Sequence, residues 1–214
     1  MKAVIFDLDG TLLDTIDDIA GSMNEVLKRH GLPQHNIGEY KLFVGCGVAN
    51  LVRQAAAGAE AAGLSLAGLE AEYRTEYSKR QADMTAPYAD IPELLSALAS
   101  RSVKMAVLSN KPHDATQEVI AHFFQGVGFD AVIGQRPGRP TKPDPDGAFE
   151  ILKLLKLKSE DVLFVGDSGT DMQTAKAAGM RAAGALWGFR GKNELVENGA
   201  DELAERPLDL LELV

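Results

Sequence analysis

The chain holds a single cysteine, Cys46, in 214 residues. An internal disulfide is therefore excluded, and nothing in the composition points to an oxidising compartment. Long apolar runs are also missing: none approaches the roughly 20 residues that span a bilayer, and the opening Met-Lys-Ala-Val-Ile-Phe-Asp is too short and too acidic for a secretory signal. These absences set the expectation of a cytoplasmic protein without a membrane partner. Positive charge is in short supply, with 22 Lys and Arg against 31 Asp and Glu and a formal charge of −9. That balance gives no electrostatic reason to expect nucleic-acid binding and points to a small-molecule partner. It does not exclude a phosphorylated one, because a few cations, a metal and backbone N–H groups can converge locally. Internal repeats and low-complexity tracts are absent too, although Ala55 to Ala62 is alanine-rich.

What is present is a soluble-globular balance of 45% hydrophobic and 25% charged residues, in a chain long enough for a sizeable core. Short apolar β-rich runs occur at Ala3 to Leu8, Val103 to Leu108, Ala131 to Ile133, Val162 to Val165 and Ala182 to Trp187. Helical patterns separate them: a start at Asp90 and Pro92, then Pro112 to Phe124, Pro145 to Leu157, and Thr170 to Ala178 closed by Gly179. Alternation of this kind predicts an α/β fold, a Rossmann-like parallel sheet with helices on both faces.

Between the first strand and residue 90 the pattern changes. Ile16, Ile19, Ala20, Met23, Val26 and Leu27 recur at helical spacing, and further helices are expected near Asn50 to Ala57 and Ala67 to Met84, with no convincing strand. The expectation is an all-α cap at 14–83 inserted into a catalytic core formed by 1–13 and 84–214.

Four polar segments fall where strands end: Asp7-Leu8-Asp9-Gly10-Thr11, Ser109-Asn110, Lys142-Pro143-Asp144-Pro145, and Gly166-Asp167-Ser168-Gly169-Thr170-Asp171. In open α/β sheets, ligands bind beyond the carboxyl ends of the strands. Singly, each segment is a common turn or helix cap. Together they bring carboxylates, a hydroxyl and an ammonium to one edge. A carboxylate attacking a phosphate dianion meets repulsion of about 4 kcal/mol per charge pair at about 4 Å and an effective dielectric of about 20. Oxygen ligands from Asp7, Asp167 and the Asp9 backbone carbonyl suit Mg²⁺, while Lys142, Ser109 and nearby N–H groups suit phosphoryl oxygens.

These four segments, in this order from residue 7 to residue 171, resemble the four motifs of the haloacid dehalogenase superfamily. The resemblance implies that Asp7 is the nucleophile, forming an aspartyl phosphate, and that Asp9 protonates the leaving alcohol and then activates water. It implies substrate binding by Thr11, Ser109, Asn110 and Lys142, Mg²⁺ ligation by Asp7, Asp9 and Asp167, and support of the metal by Asp171. A carboxylate at Asp9 favours phosphate esters over the dehalogenase and phosphonatase branches. The Leu42-Phe43-Val44-Gly45-Cys46-Gly47 segment with Arg53, and the tail from Trp187-Gly188 to Gly199-Ala200-Asp201, are similar to phosphoglycolate phosphatases. Phosphoglycolate is thus the first expected substrate, with Arg53 or Lys41 as cations for its carboxylate. A β-phosphoglucomutase-like phosphomutase, a pyrophosphatase, and a metal- or phosphate-binding regulatory protein are the alternatives. Asp146-Gly147 stands where many relatives carry another proline.

Other residues invite plainer readings. Gly166-Asp167-Ser168-Gly169 resembles part of a serine protease signature, but the α/β pattern makes Ser168 a helix-start residue. Cys46, between two glycines, has no partner for thiol chemistry close in sequence except His35. The histidines show no metal-ligand spacing, His113 is expected to face solvent, and Trp187 is assigned no role.

Overall fold

The computed structural model describes residues 1–214. Two compact units are formed, one from Met1–Asp14 with Pro87–Val214 and the other from Thr15–Ala86.

The first unit is built on a six-stranded sheet. Its strands are β1 (Ala3–Phe6), β4 (Lys104–Pro112), β5 (Ala131–Gln135), β6 (Val162–Gly166), β7 (Arg181–Ala185) and β8 (Glu202–Ala204), with the two-residue β2 (Leu13–Asp14) and β3 (Ala86–Pro87) lying outside it. The order across the sheet is β5-β4-β1-β6-β7-β8, and every neighbouring pair is parallel. Parallel neighbours require crossovers, supplied by α5 (Ile91–Ser100), α6 (His113–Phe123), α7 (Asp146–Leu155), α8 (Gly169–Ala177) and α9 (Lys192–Glu197).

Strand alternation divides the core in two. Val4 and Phe6 join Leu94 and Leu98 of α5 and Val119 of α6 on one face, while Ala3 and Ile5 join Ile151 of α7 and Met172 of α8 on the other. β1 is fully buried at all four positions, which is why it reads as an unbroken apolar run. The chain moves from β1 out to β4 and β5, then returns past β1 to β6 and continues to β7 and β8. This makes β1 the switch point, where loops diverge and leave a crevice at the carboxyl edge.

β4 runs further than the apolar stretch ending at Leu108. Leu108 pairs with Ile133 and Pro112 with Gln135, so the register shifts between them and Ser109, Asn110 and Lys111 lie in a bulged segment. Gly134 makes room for it: a Cβ there would stand 2.7 Å from the Lys111 carbonyl oxygen and 2.5 Å from Thr116 Oγ1. His113 is half-buried rather than solvent-facing, because its Nδ1 accepts the Gly134 N–H at 3.2 Å.

The second unit is helical: α1 (Ile16–Arg29), α2 (Ile37–Phe43), α3 (Val48–Ala55) and α4 (Leu66–Arg80). α1 packs along α4 and also meets α2. Asn36 and Glu39 form a capping box at the start of α2. The buried Asp18 carboxylate accepts from the Met84 N–H, the Thr85 N–H and the Thr85 hydroxyl, tying the first turn of α1 to the end of the unit. Glu76, also buried, gathers Arg29 at 2.7 Å and Arg80 at 2.9 Å. No helix of the chain is long and apolar enough to cross a membrane.

Candidate active site

The polar residues come from the ends of β1 and β6, the β4 bulge, and the segment between β5 and α7. Asp7 follows β1 directly; its N–H donates to the Val165 carbonyl of β6 at 2.9 Å, and its Oδ1 accepts from the Leu8 N–H at 2.7 Å. Asp167 follows β6, and Asp171 sits in the first turn of α8. Asp7, Asp167 and Asp171 are all buried, and one carboxylate oxygen of each lies within 4.8 Å of the others.

Lys142 is the cation inside this cluster. Its Nζ lies 2.8 Å from Asp7 Oδ1 and 2.6 Å from Asp171 Oδ1, with the side chain 3% exposed. Asn110 fixes its backbone: the Asn110 amide donates to the Lys142 carbonyl at 3.0 Å and accepts the Lys142 N–H at 2.8 Å. Asp171 has a second task. Its Oδ2 accepts from the Ser168 hydroxyl at 2.6 Å and the Ser168 N–H at 3.1 Å, so it closes the capping box of α8. Ser168 is accordingly a helix cap and not a nucleophile.

Asp167 is enclosed by backbone. A Cβ on Gly10, which adopts φ +89°, would lie 2.3 Å from Asp167 Oδ2, and a Cβ on Gly188 would lie 2.2 Å from the Asp167 Cβ. Only glycine allows either approach. The Phe189 N–H donates to Asp167 Oδ2 at 2.7 Å, and the Thr11 hydroxyl lies 3.4 Å from Oδ1. Trp187, which the sequence left without a role, donates its indole N–H to the Thr11 carbonyl at 2.9 Å.

Crowded acids without enough cations show in the protonation equilibria. Burial, reinforced by Asp171, pushes the Asp7 carboxyl up to about 7 despite Lys142. Burial and the Asp171 and Asp7 charges raise the Asp167 carboxyl well above its ordinary value. Burial works to lower Lys142, but Asp171 and Asp7 outweigh it and hold the ammonium above its ordinary value. An all-oxygen donor set that resists ionising together fits a hard divalent cation.

The residues singled out in the sequence thus converge: Asp7, Thr11, Ser109, Asn110, Lys142, Asp167 and Asp171 are buried together at this edge, with Asp9 beside them. Ser109 presents its hydroxyl within the β4 bulge, where Oγ accepts the Lys111 N–H at 3.2 Å. One participant was missed. Lys111 reaches Asp9 with Nζ 3.0 Å and 3.2 Å from its two carboxylate oxygens. Local pattern offered no signal for it, because regular strand alternation is interrupted by the β4 bulge in which it lies. Arg53, expected to meet a substrate carboxylate, lies on α3 and donates to Asn50 of its own helix at 2.5 Å.

The site is a buried acid cluster with a lysine at the switch point of a parallel α/β sheet. Residues 4–185 match the haloacid dehalogenase-like hydrolase family. The chain is 31% identical to a phosphoglycolate phosphatase of Aquifex aeolicus, covering 100% of this chain and 97% of that one. It is 32% identical to phosphoglycolate phosphatase 1 of Pseudomonas aeruginosa, over 98% of this chain and 78% of that one. Among solved structures, a predicted phosphoglycolate phosphatase from Haemophilus somnus superposes with a TM-score of 0.91 at 27% identity, covering 100% of this chain and 97% of that one. The chain belongs to the haloacid dehalogenase-like hydrolases, and it is an enzyme of their phosphatase class.

Proposed function

We propose that the protein hydrolyses a small phosphate monoester, phosphoglycolate first among candidates, through a phosphorylated Asp7. The observation that carries this reading is the buried Asp7–Lys142–Asp171 arrangement, in which a carboxylate at a strand end is held by an ammonium already turned to a second carboxylate. The two relatives above share the name of that activity, and the chain covers more than two thirds of each.

In this mechanism Asp7 attacks phosphorus while Lys142 and the Ser109 hydroxyl hold phosphoryl oxygens. Asp9 gives a proton to the departing alcohol oxygen. Asp9 then takes a proton from water, which attacks the acyl phosphate and frees phosphate and Asp7. Asp7, Asp167 and the Asp9 carbonyl would hold Mg²⁺, with Asp171 beside them. When bound, Mg²⁺ offsets the charge that repels a carboxylate from a phosphate dianion. Thr11 steadies Asp167, and Asn110 acts through the Lys142 backbone. The helical unit at 15–86 is read as the inserted, substrate-selecting cap, and the partner as a free metabolite of the cytoplasm.

The test is phosphate release from phosphoglycolate, sugar phosphates and pyrophosphate, each with Mg²⁺ and with chelator. Chelator-sensitive turnover led by phosphoglycolate is expected. Turnover led by sugar phosphates or pyrophosphate would keep the chemistry and overturn the substrate. Silence on all of them would overturn the reading.

A further inference from the structure

Lys111 takes no part in the mechanism above, yet it is built into the same edge. Its side chain is 5% exposed, and its Nζ lies 3.0 Å and 3.2 Å from the two Asp9 carboxylate oxygens. The backbone around it is held by side chains too. Ser109 Oγ accepts its N–H at 3.2 Å, its carbonyl accepts from Thr116 Oγ1 at 3.2 Å, and Gly134 is bare where a Cβ would meet that carbonyl at 2.7 Å. A buried ammonium is costly to desolvate, so such placement is weak support for stability alone.

The charges at this edge do not balance. Asp7, Asp9, Asp167 and Asp171 face Lys142 and Lys111, and Lys142 is already engaged with Asp7 and Asp171. Lys111 is therefore the cation on the Asp9 side. In the proposed reaction Asp9 faces the ester oxygen, which must come within about 2.6–3.2 Å of its carboxylate. With Nζ 3.0 Å from that carboxylate, the ammonium lies within about 6 Å of the departing oxygen. An anionic group one carbon from the ester oxygen falls inside that interval.

We infer that Lys111 is a specificity-determining residue: it reads an anionic group carried next to the ester oxygen on the leaving alcohol, so the substrates it selects are phosphate esters of short hydroxy acids. The inference rests on the phosphatase reading, with Asp9 on the leaving-group side. In the free enzyme the ammonium is occupied by Asp9; in the complex it is shared with the substrate carboxylate. The core unit itself then supplies a carboxylate recognition element, independent of Arg53, which is spent on Asn50.

Wild type, Lys111→Met and Lys111→Arg are compared on phosphoglycolate and on 2-hydroxyethyl phosphate, which replaces the carboxylate with a neutral alcohol of similar size. Wild type is expected to favour phosphoglycolate. Lys111→Met is expected to lower the ratio of the two kcat/KM values more than about tenfold, the loss due to one charge-assisted hydrogen bond, chiefly through the KM for phosphoglycolate. Lys111→Arg is expected to restore part of the ratio. An equal loss on both esters would overturn the inference and leave Lys111 as a support for Asp9 alone. An unchanged ratio with no loss, or an active wild type without preference for the carboxylate, would overturn it too while the phosphatase reading stands. A wild type silent on every ester brings down that reading and the inference together. If Lys111→Met fails to fold by circular dichroism, Lys111→Gln carries the same comparison.

Discussion

Asn110 and Lys142 hold each other reciprocally, the amide of one donating to and accepting from the backbone of the other at 3.0 Å and 2.8 Å. The pairing joins the β4 bulge to the segment before α7 and sets where the Lys142 ammonium stands. Asn110→Ala leaves a buried N–H and C=O without partners, at about 1–3 kcal/mol for each. The variant is expected to lose stability in urea denaturation, and to lose kcat beyond what its folded fraction explains.

Lys142→Met removes the ammonium that Asp7 and Asp171 share. Breaking a buried pair from one side typically costs about 3–5 kcal/mol. The expected result is a large fall in Tm without metal and a stronger stabilisation by added Mg²⁺ than in wild type, read by thermal unfolding across a Mg²⁺ series. A variant with the wild-type response to Mg²⁺ would contradict the assigned cluster.

Asp7→Asn should abolish turnover and the acid-stable trapping of phosphate on the protein, while the folded baseline in circular dichroism is retained. Asp9→Asn should behave differently. In kcat/KM, which reports phosphorylation of Asp7, loss of the acid costs about 10²–10⁴ for an alkyl ester and far less for p-nitrophenyl phosphate, whose leaving group needs no proton, while loss of the base slows kcat on both. Parallel kinetics on the two esters would test the division of labour.

Sequence pattern already located much of this. The unbroken run of β1, the alternation after residue 90 and the polar residues at Asp7, Ser109, Lys142 and Asp167 are strong local signals, and the sheet with its convergent edge follows from them. What escaped has physical causes. β8 (Glu202–Ala204) is three residues long, too short for any periodicity. α2 is seven residues, and its clearest sign was the Asn36–Glu39 box rather than an apolar stripe. Lys111 was hidden because a lysine before a proline and a helix reads as surface; its burial depends on a bulge that forms only when β4 pairs with β5.

Gly188→Ala would put a Cβ 2.2 Å from that of Asp167 and 2.4 Å from the Gly10 carbonyl oxygen. Overpacking of this kind costs about 1–3 kcal/mol, and here it displaces a proposed metal ligand. Mg²⁺ affinity by calorimetry is expected to fall together with activity. Gly191→Ala, with nothing within 4 Å of the added Cβ and an ordinary φ of −87°, should leave both unchanged.

In the helical unit, hydrogen bonding and charge from Arg29 hold the Glu76 carboxyl below its ordinary 4.5, against the effect of burial. A depressed folded-state value means that its contribution is complete above the unfolded value and is lost as pH falls through the folded one. Glu76→Gln should therefore lower Tm at neutral pH and flatten the loss of Tm on acidification below about 4.5, in a pH series of thermal melts.

Asp171 serves two structures with one side chain, closing the cap of α8 through Oδ2 and meeting Lys142 through Oδ1. Helix initiation and assembly of the reaction centre are thereby a single cooperative event. Until α8 docks, the Lys142 ammonium keeps Asp7 but misses its second carboxylate, so unfolding of that one turn reaches the lysine directly.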